Sequence, residues 1–545
     1  MAALLIIHFV IVIYCIGANS PTCDEIAHHI ASGYSYLVTG DFRMNPANPP
    51  LIREISALPL LFLNVRLPID SQAWKMGNSP VFGNEFFYKM NKNADSIIFW
   101  ARIPMAILSV ILGFLVFLWS GRLYGVRGGL LSLAVYSFCP NIIAFAALAT
   151  VDLGASLFIF AALFSLWSYF KDPSKKKIII TGLCFGLAQA SKYTSIFLIP
   201  IFVVLTICYY VLTDDNIRRP ALNKRLTDLL SIFAIGYFVV FAAYFFETKP
   251  FIKNAPDIPE KVEYIKSAVG KLQMGKIGLN RDRAVWIAQN IPIPFSAYLV
   301  GLGGVAHQSS VGGYKTFLLG KVSDSGFWNY YVIAFLAKTT IPVILMFVWA
   351  IILTLRGDKK TILGALFLLL PIIIFFVIIS MNKGQVGVRH ILQIYPLIFV
   401  LIGSLNIMRL KDLLKYAVLA VLIILQIVSL ASVLPYPISY FNELAGGPDN
   451  GYNILRDSNL DWGQGLKALK VYMEKNGTGK IKLFYFGTAD PEYYNIPYEG
   501  MSESDFNYPA RGVYAISAQY LDAVAWTKRY APAAKIAHSI FIYEI

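Results

Sequence analysis

Apolar runs of membrane-spanning length recur along most of this chain, and they constrain its fold more than any other feature. Crossing a bilayer core in a helix takes about 20 such residues, because a lipid-embedded backbone must satisfy its own N–H and C=O groups. Turn residues and charges divide the sequence into spans near Ala2 to Gly17, Ile103 to Trp119, Gly129 to Ala147, Val151 to Phe170 and Ile178 to Ala190. Others follow near Ser195 to Leu212, Leu230 to Phe246, Tyr330 to Leu355, Ile362 to Ser380, Ile391 to Ile407 and Tyr416 to Leu434. The expectation is a polytopic α-helical membrane protein with about 11 transmembrane helices. The runs are continuous rather than alternating, which excludes a β-barrel. Composition agrees: 57% of the 545 residues are hydrophobic and 14% charged, with a mean hydropathy of +0.59, which excludes a disordered or soluble multidomain chain.

The first run, MAALLIIHFVIVIYCIGANS, lacks the basic start of a secretory signal and is followed by more spans, so it reads as a retained helix. Of the five cysteines, Cys15, Cys139, Cys184 and Cys208 lie in apolar segments and Cys23 just beyond the first. Their spacing suggests neither disulfides nor zinc.

A net charge of +15 resembles a nucleic-acid signal until the basic residues are located. They concentrate in the short loops GRLYGVRG, KDPSKKK, DDNIRRPALNKR, RGDKK and RLKDLLK, which alternate along the chain and therefore face the cytoplasm. No nucleic-acid partner is implied. The opposite, extracytoplasmic side receives a first large loop over 18–102, a second over 247–329, the turns near Asp152, Lys192 and Arg389, and the tail 435–545. This divides the chain into a transmembrane module, 1–434, and a C-terminal extracytoplasmic domain, 435–545. The membrane is the plasma membrane if the source is bacterial and the endoplasmic reticulum if it is eukaryotic. In the tail, IKLFYFG and GVYAISA read as strands and LKALKVYMEKNG as a helix, predicting a small α/β or α+β fold. The stretch IPIPFSAYLVGLGGVAHQSSVGGYKTFLLGK is too interrupted to span and too apolar for a free loop, so it is expected at the membrane interface, with His307 and Lys315 unassigned.

Ionisable residues near membrane depth are costly, and here they gather on the extracytoplasmic side. After the first span comes PTCDEIAHHIASGYSYLVTGDFRMNPANPPLIR, where Asp24, Glu25, His28 and His29 would share adjacent helical turns. Such a group can supply a general base or bind a divalent cation, and it can equally be a helix cap with interfacial histidines. Asp152 in LATVDLGAS suits a cap, Lys192 in GLAQASKYTS a snorkelling lysine, and Arg389 with His390 opens the tenth span. Together they place cations and carboxylates on one face of a bundle, as a site for an anionic, lipid-linked substrate requires. No Walker loop, zincin helix or GxSxG elbow is present.

These motifs resemble the polyprenyl-phosphate-dependent glycosyltransferases of the GT-C fold, in the group containing protein O-mannosyltransferases and aminoarabinose transferases. The matching pieces are DEIAHHIASGYSYLVTGDF with NPPL, LATVDLGASLF, GLAQASKYTS, FWNYYVIAFLAKTTIP, GVRHILQIYP and RDSNLDWGQGLKALKVYM. The tail motif resembles a bacterial-type branch more than the mannosyltransferases. The resemblance implies that Asp24 acts as base or orients the acceptor, with Glu25 its usual neighbour and Asp152 a second acid near the acceptor. It implies that Lys192 and Arg389, with His390 beside it, lie near the lipid phosphate. His28, Asn48, Asp461 and Trp462 are candidate substrate contacts, Trp462 offering a stacking face, although the tail motif, with Asp457, Asn459 and Gln464, can equally serve domain packing. Relatives often read HPPL where this chain has Asn48, which puts an imidazole role there in doubt.

The chemistry follows from the compartment, since outside the cytoplasm a lipid-phosphate sugar is the available activated donor. Departing phosphate develops negative charge that Lys192 and Arg389 would stabilise, while Asp24 would deprotonate an acceptor hydroxyl attacking from the opposite face, giving inversion. The expected partners are a polyprenyl-phosphate sugar, a protein, glycan or lipid acceptor, and membrane lipids. A secondary transporter or flippase is the alternative, but it favours repeated halves and midplane charges. A binding-only, inactive relative is a third reading.

Overall fold

The computed structural model of the protein describes residues 1–213, 222–251, 281–311, 315–408 and 411–545. Parts of the second large loop (252–280 and 312–314) and of two basic loops (214–221 and 409–410) lie outside the described residues. Among the described residues, six helices are long and apolar enough to cross a membrane: Ala94–Ser137, Val151–Lys171, Tyr193–Leu212, Leu222–Ala243, Thr361–Ser380 and Asp412–Ala431. A bent pair adds a seventh, and Ala2–Ala18 and Ile394–Ile407 are shorter apolar helices. The chain is an integral membrane protein.

Three expected spans differ in form. The second and third share one helix of 44 residues, Ala94–Ser137, interrupted at Gly125, whose φ of 79° is open to glycine but costly for other residues. The third does not continue to Ala147, because Pro140 has no N–H to donate backwards, and Pro140–Ala146 starts as a separate short helix. The eighth is not continuous either: Tyr330–Lys338 and Ile341–Leu355 meet at a bend of 113°. Pro342 cannot donate to the Lys338 carbonyl four residues earlier, and that oxygen accepts from Asn141 Nδ2 instead, at 2.8 Å. Asn442 covers other carbonyls of the same helix end, with its Nδ2 2.8 Å from the Thr339 oxygen.

The first large loop is mostly helical. A π-helical turn, Glu25–His29, leads into Ile30–Thr39, and the short helices Leu51–Ala57, Gln72–Met76 and Ser79–Asn84 fold over it. Ser79–Asn84 lies so close that a Cβ on Gly83 would stand 1.9 Å from the Ile26 carbonyl oxygen. In the tail, Leu466–Asn476 is helical and is followed by a five-stranded mixed sheet. The strands β1 (Thr248–Lys249) with β2 (Ile293–Pro294), and β3 (Thr316–Leu318) with β4 (Lys321–Ser323), form two small ladders before it. The sheet itself has β5 (Ile481–Phe484) between β6 (Tyr498–Gly500) and β7 (Val513–Ser517), parallel to both. β9 (Ile540–Glu544) runs antiparallel to β7 and to β8 (Ala534–Ile536). The two runs read as strands are β5 and β7, and the helix lies where its spacing placed it.

A fully buried ion pair joins these parts. Glu25 takes the Nε and Nη2 edge of Arg102 at 2.8 and 2.7 Å, and also accepts from the backbone N–H groups of Thr22 and Ala149, each at 2.8 Å. Arg102 Nη1 donates to the carbonyls of Ile16 and Asn19, at 3.1 and 2.9 Å. The end of the first helix, the long helix and the segment before Val151 are thus tied at one point. Burial opposes the Glu25 charge, but Arg102 and these donors hold its carboxyl below the usual range. Arg102→Met should therefore cost about 3–5 kcal/mol by stranding the carboxylate. In detergent melting curves it should fall well below the parent, and adding Glu25→Gln should recover part of the loss.

Candidate functional site

Five segments converge above the helix ends. Asp24 precedes the π-helical turn, Asp152 sits in the first turn of Val151–Lys171, Lys192 follows Lys175–Gln189, Arg389 belongs to the 3-10 turn Val388–Ile391, and Trp462 comes from the tail. Two ion pairs result. Arg389 Nη1 donates to Asp24 Oδ2 at 2.9 Å, with the two side chains 16% and 23% exposed, so this pair is open to incoming groups. Lys192 Nζ donates to Asp152 Oδ1 at 2.7 Å, and this pair is buried more deeply. Neither aspartate makes a side-chain capping bond. The capping reading therefore fails for both, and Lys192 turns inward to a carboxylate instead of snorkelling.

The tail motif positions Asp24 and Arg389 together. The Arg389 guanidinium lies 4.3 Å from the centre of the Trp462 ring, a cation–π contact. The Trp462 carbonyl accepts from the N–H of Cys23, the residue before Asp24, at 2.9 Å. Asn459 Oδ1 accepts from the Val388 N–H at 2.9 Å, fixing the residue before Arg389. The Asn459 carbonyl in turn accepts from buried Lys338 at 2.5 Å. Trp462 is thus a support with its face occupied by Arg389 rather than an open stacking platform.

Burial disfavours the Asp24 charge, yet the Arg389 guanidinium bonded to it holds its carboxyl below the ordinary range. Burial, assisted by Arg53, pushes His29 down to about 3. Burial likewise lowers His28, whose Nδ1 lies 3.0 Å from Ser79 Oγ. His390 is lowered by burial and by the charges of Lys192 and Arg389. All three imidazoles are therefore neutral at pH 7, so the charges of this layer belong to carboxylates, lysine and arginine.

Two expected site residues do other work. Glu25 faces away from Asp24, and its oxygens are occupied by Arg102, Thr22 and Ala149, so it is a scaffold group. Asp461 is 1% exposed and accepts the Gly463 N–H at 3.0 Å, shaping the turn that carries Trp462. Asn48 is half-buried in the turn before Leu51–Ala57, a helix whose Leu51 N–H bonds to the Ala190 carbonyl, two residues from Lys192, at 3.2 Å. Among the described residues no group of three or more His, Cys, Asp or Glu side chains is arranged to hold a metal ion.

Arg53 and Lys338 are buried cations of this region that no motif assigns. Lys338 was signalled by a lone lysine within FWNYYVIAFLAKTTIP, and Arg53 by a charge in an otherwise apolar NPPLIREISALPL.

Comparison with known proteins bears on the fold. The fold is similar to that of the protein O-mannosyltransferase Pmt1-Pmt2 complex of S. cerevisiae, bound to the sugar donor, at a TM-score of 0.53 and 12% identity over 80% of this chain and 89% of that one. The chain is an integral membrane protein of the GT-C fold. Residues 85–244 match the family model described as dolichyl-phosphate-mannose-protein mannosyltransferase. ArnT from Cupriavidus metallidurans bound to undecaprenyl phosphate aligns over 99% of this chain and 96% of that one, at 11% identity and a TM-score of 0.47. No curated protein matches.

Burial raises the Asp461 carboxyl from 3.8 to about 7, the Gly463 N–H offsetting only part of this. Between those two values the folded chain keeps a proton that the unfolded chain has lost. The stability this contributes is complete below 3.8 and is lost as pH rises through about 7. The parent should therefore lose up to about 1.4 kcal/mol per pH unit in that window relative to Asp461→Asn. Melting both proteins across it reads the difference, which vanishes if Asp461 titrates normally.

Proposed function

We propose that the chain is a membrane glycosyltransferase that moves a sugar from a polyprenyl-phosphate donor to an acceptor hydroxyl, with inversion. The observation that carries this reading is the pair of carboxylate–cation contacts, Asp24–Arg389 and Asp152–Lys192, set side by side at helix ends. Fold and family match support the class. The acceptor oxygen attacks the anomeric carbon, the bond from that carbon to the phosphate oxygen breaks, and the hydroxyl proton passes to Asp24. The electron pair of the broken bond stays with the phosphate, where Arg389 and Lys192 stabilise it. Donor binding also prepares the base: when Arg389 turns to phosphate, Asp24 loses the cation that most lowers its carboxyl and becomes more basic. Asp152 orients the acceptor. Glu25 and Asp461 act through the backbone they hold.

The same reading places this site, the loops 18–102 and 247–329, and the tail 435–545 as a separate domain, on the extracytoplasmic side. It is supported by the alternation of basic loops. Eleven crossings follow if the limbs of Ala94–Ser137 on either side of Gly125 count separately and the bent pair counts once, with the shorter helices and Lys175–Gln189 included. The acceptor is a protein, glycan or lipid hydroxyl. A transporter reading gains no support from ion pairs gathered at helix ends on one side.

Asp24→Asn keeps the volume and removes the proton acceptor, so sugar transfer from labelled lipid donor should fall about 10²- to 10⁴-fold with melting and donor binding retained. Near-normal transfer would move the base to Asp152. Lys192→Ala and Arg389→Ala should each weaken donor use, and unchanged donor affinity in both would sink the phosphate assignment. A cysteine at Ser502 should label from outside intact cells and one at Ser174 should not. The reverse pattern would overturn the orientation and the donor with it.

A further inference from the structure

Arg53 is among the largest fully buried side chains of the protein, 1% exposed. Its Nη1 donates to the Tyr36 hydroxyl at 2.9 Å and to the Asn45 carbonyl at 2.6 Å, both neutral acceptors. Among the described residues, its Nε and Nη2 have no hydrogen-bond partner. These two nitrogens form one edge of the guanidinium, the edge with which Arg102 grips both oxygens of Glu25. Arg53 therefore presents, inside the protein, a two-pronged oxyanion grip with no oxyanion in it from this chain. The adjacent acid does not fill it: Glu54 Oε1 is itself buried without a partner, and burial raises that carboxyl to about 8, keeping it neutral.

The position is part of the candidate site. Arg53 and Arg389 both act electrostatically on His28, and His29 responds to Arg53, Asp24 and Asp152 together. The helix that carries Arg53 is bonded at its start to Ala190, beside Lys192. Arg389 and Lys192 each already hold a carboxylate. Arg53 holds none, and a buried guanidinium edge without a partner is costly in the unliganded protein and is relieved by an anion. Two coplanar donors match the paired oxygens of a phosphate better than a single-point acceptor.

We propose that Arg53 is the bidentate phosphate anchor of this site, holding the phosphate group of the polyprenyl donor through Nε and Nη2. The assignment of the lipid rests on the function proposed above, whereas the phosphate-binding edge stands on the geometry of Arg53 alone. In this arrangement the lipid phosphate reaches Arg53 first, and Arg389 exchanges Asp24 for the same group as the reaction begins.

The test uses the full-length protein in detergent, with Arg53→Met, Arg53→Lys and Tyr36→Phe, and three probes: polyprenyl phosphate, the corresponding polyprenol and inorganic phosphate. Polyprenyl phosphate should stabilise the parent and polyprenol should not. Arg53→Met should bind polyprenyl phosphate at least about tenfold more weakly, the loss of a charge-assisted contact. Arg53→Lys, which keeps the charge without the fork, should fall between. Without ligand, Arg53→Met should melt at or above the parent, because it removes an unpaired buried charge, whereas Tyr36→Phe should leave phosphate binding intact. Equal affinity in the parent and Arg53→Met would overturn the proposal. So would an Arg53→Met that melts well below the parent and binds normally once folded, since Arg53 would then be structural. If inorganic phosphate binds in an Arg53-dependent way but polyprenyl phosphate does not bind the parent, the anion edge stands and the lipid donor reading falls.

Discussion

The contact on which the other parts depend is the buried pair of Glu25 and Arg102. Two opposite charges with no solvent exposure survive only with all their lone pairs and protons used, and here they are used on backbone from three separate places. Satisfying Arg102 fixes the carbonyls of Ile16, Asn19 and Ser20, and so the exit of the first helix. Satisfying Glu25 fixes the N–H of Ala149, three residues before Asp152. Both sides of the candidate site are thereby placed by one pair that takes no part in the proposed chemistry.

That placement accounts for the different fates of two neighbouring acids. Once Glu25 is committed inward, the π-helical turn that follows it sets Asp24 toward the tail and the turn bearing Arg389. Unusual turns of this kind recur at functional sites because they redirect side chains that a regular helix would align. Ser79–Asn84 closes over the turn at a separation only glycine tolerates, so the π-turn is braced by the loop's own helices. Rigidity at Asp24 matters for the proposed reaction, where a base must lie within hydrogen-bonding reach of one hydroxyl.

Much of the architecture was legible because it is written in composition. A run of apolar residues is a helix in lipid whatever its neighbours are, and the alternation in IKLFYFG and GVYAISA is local too. Interruptions were less so: Pro342 and Pro140 stand in plain view, but hydropathy sums over them, whereas the hydrogen bond each one lacks is what bends or ends the helix. The identities Asp24, Asp152, Lys192 and Arg389 could be marked as costly in their surroundings, yet their pairing could not, since Asp24 and Arg389 are 365 positions apart. Nor could spacing tell which of Asp24 and Glu25 meets Arg389 and which Arg102. Trp462 illustrates the same limit, because an aromatic suited to stacking on sugar turns out to stack on arginine.

Charge balance explains why a site of this kind can be assembled around carboxylates and still receive an anion. Asp24 and Asp152 neutralise Arg389 and Lys192 while the protein is at rest, which keeps two buried cations from destabilising it. The histidines contribute no charge, since burial holds them neutral. The Nε and Nη2 edge of Arg53 is bonded to neither carboxylate, so its charge disturbs neither pair. In the proposed reaction an entering phosphate meets Arg53 before any ion pair breaks, and the exchange of Arg389 from carboxylate to phosphate conserves the number of charge-assisted bonds. In the proposed reaction the same exchange releases Asp24 to accept a proton, so the group assigned to the leaving phosphate would also govern when the base becomes strong enough to act.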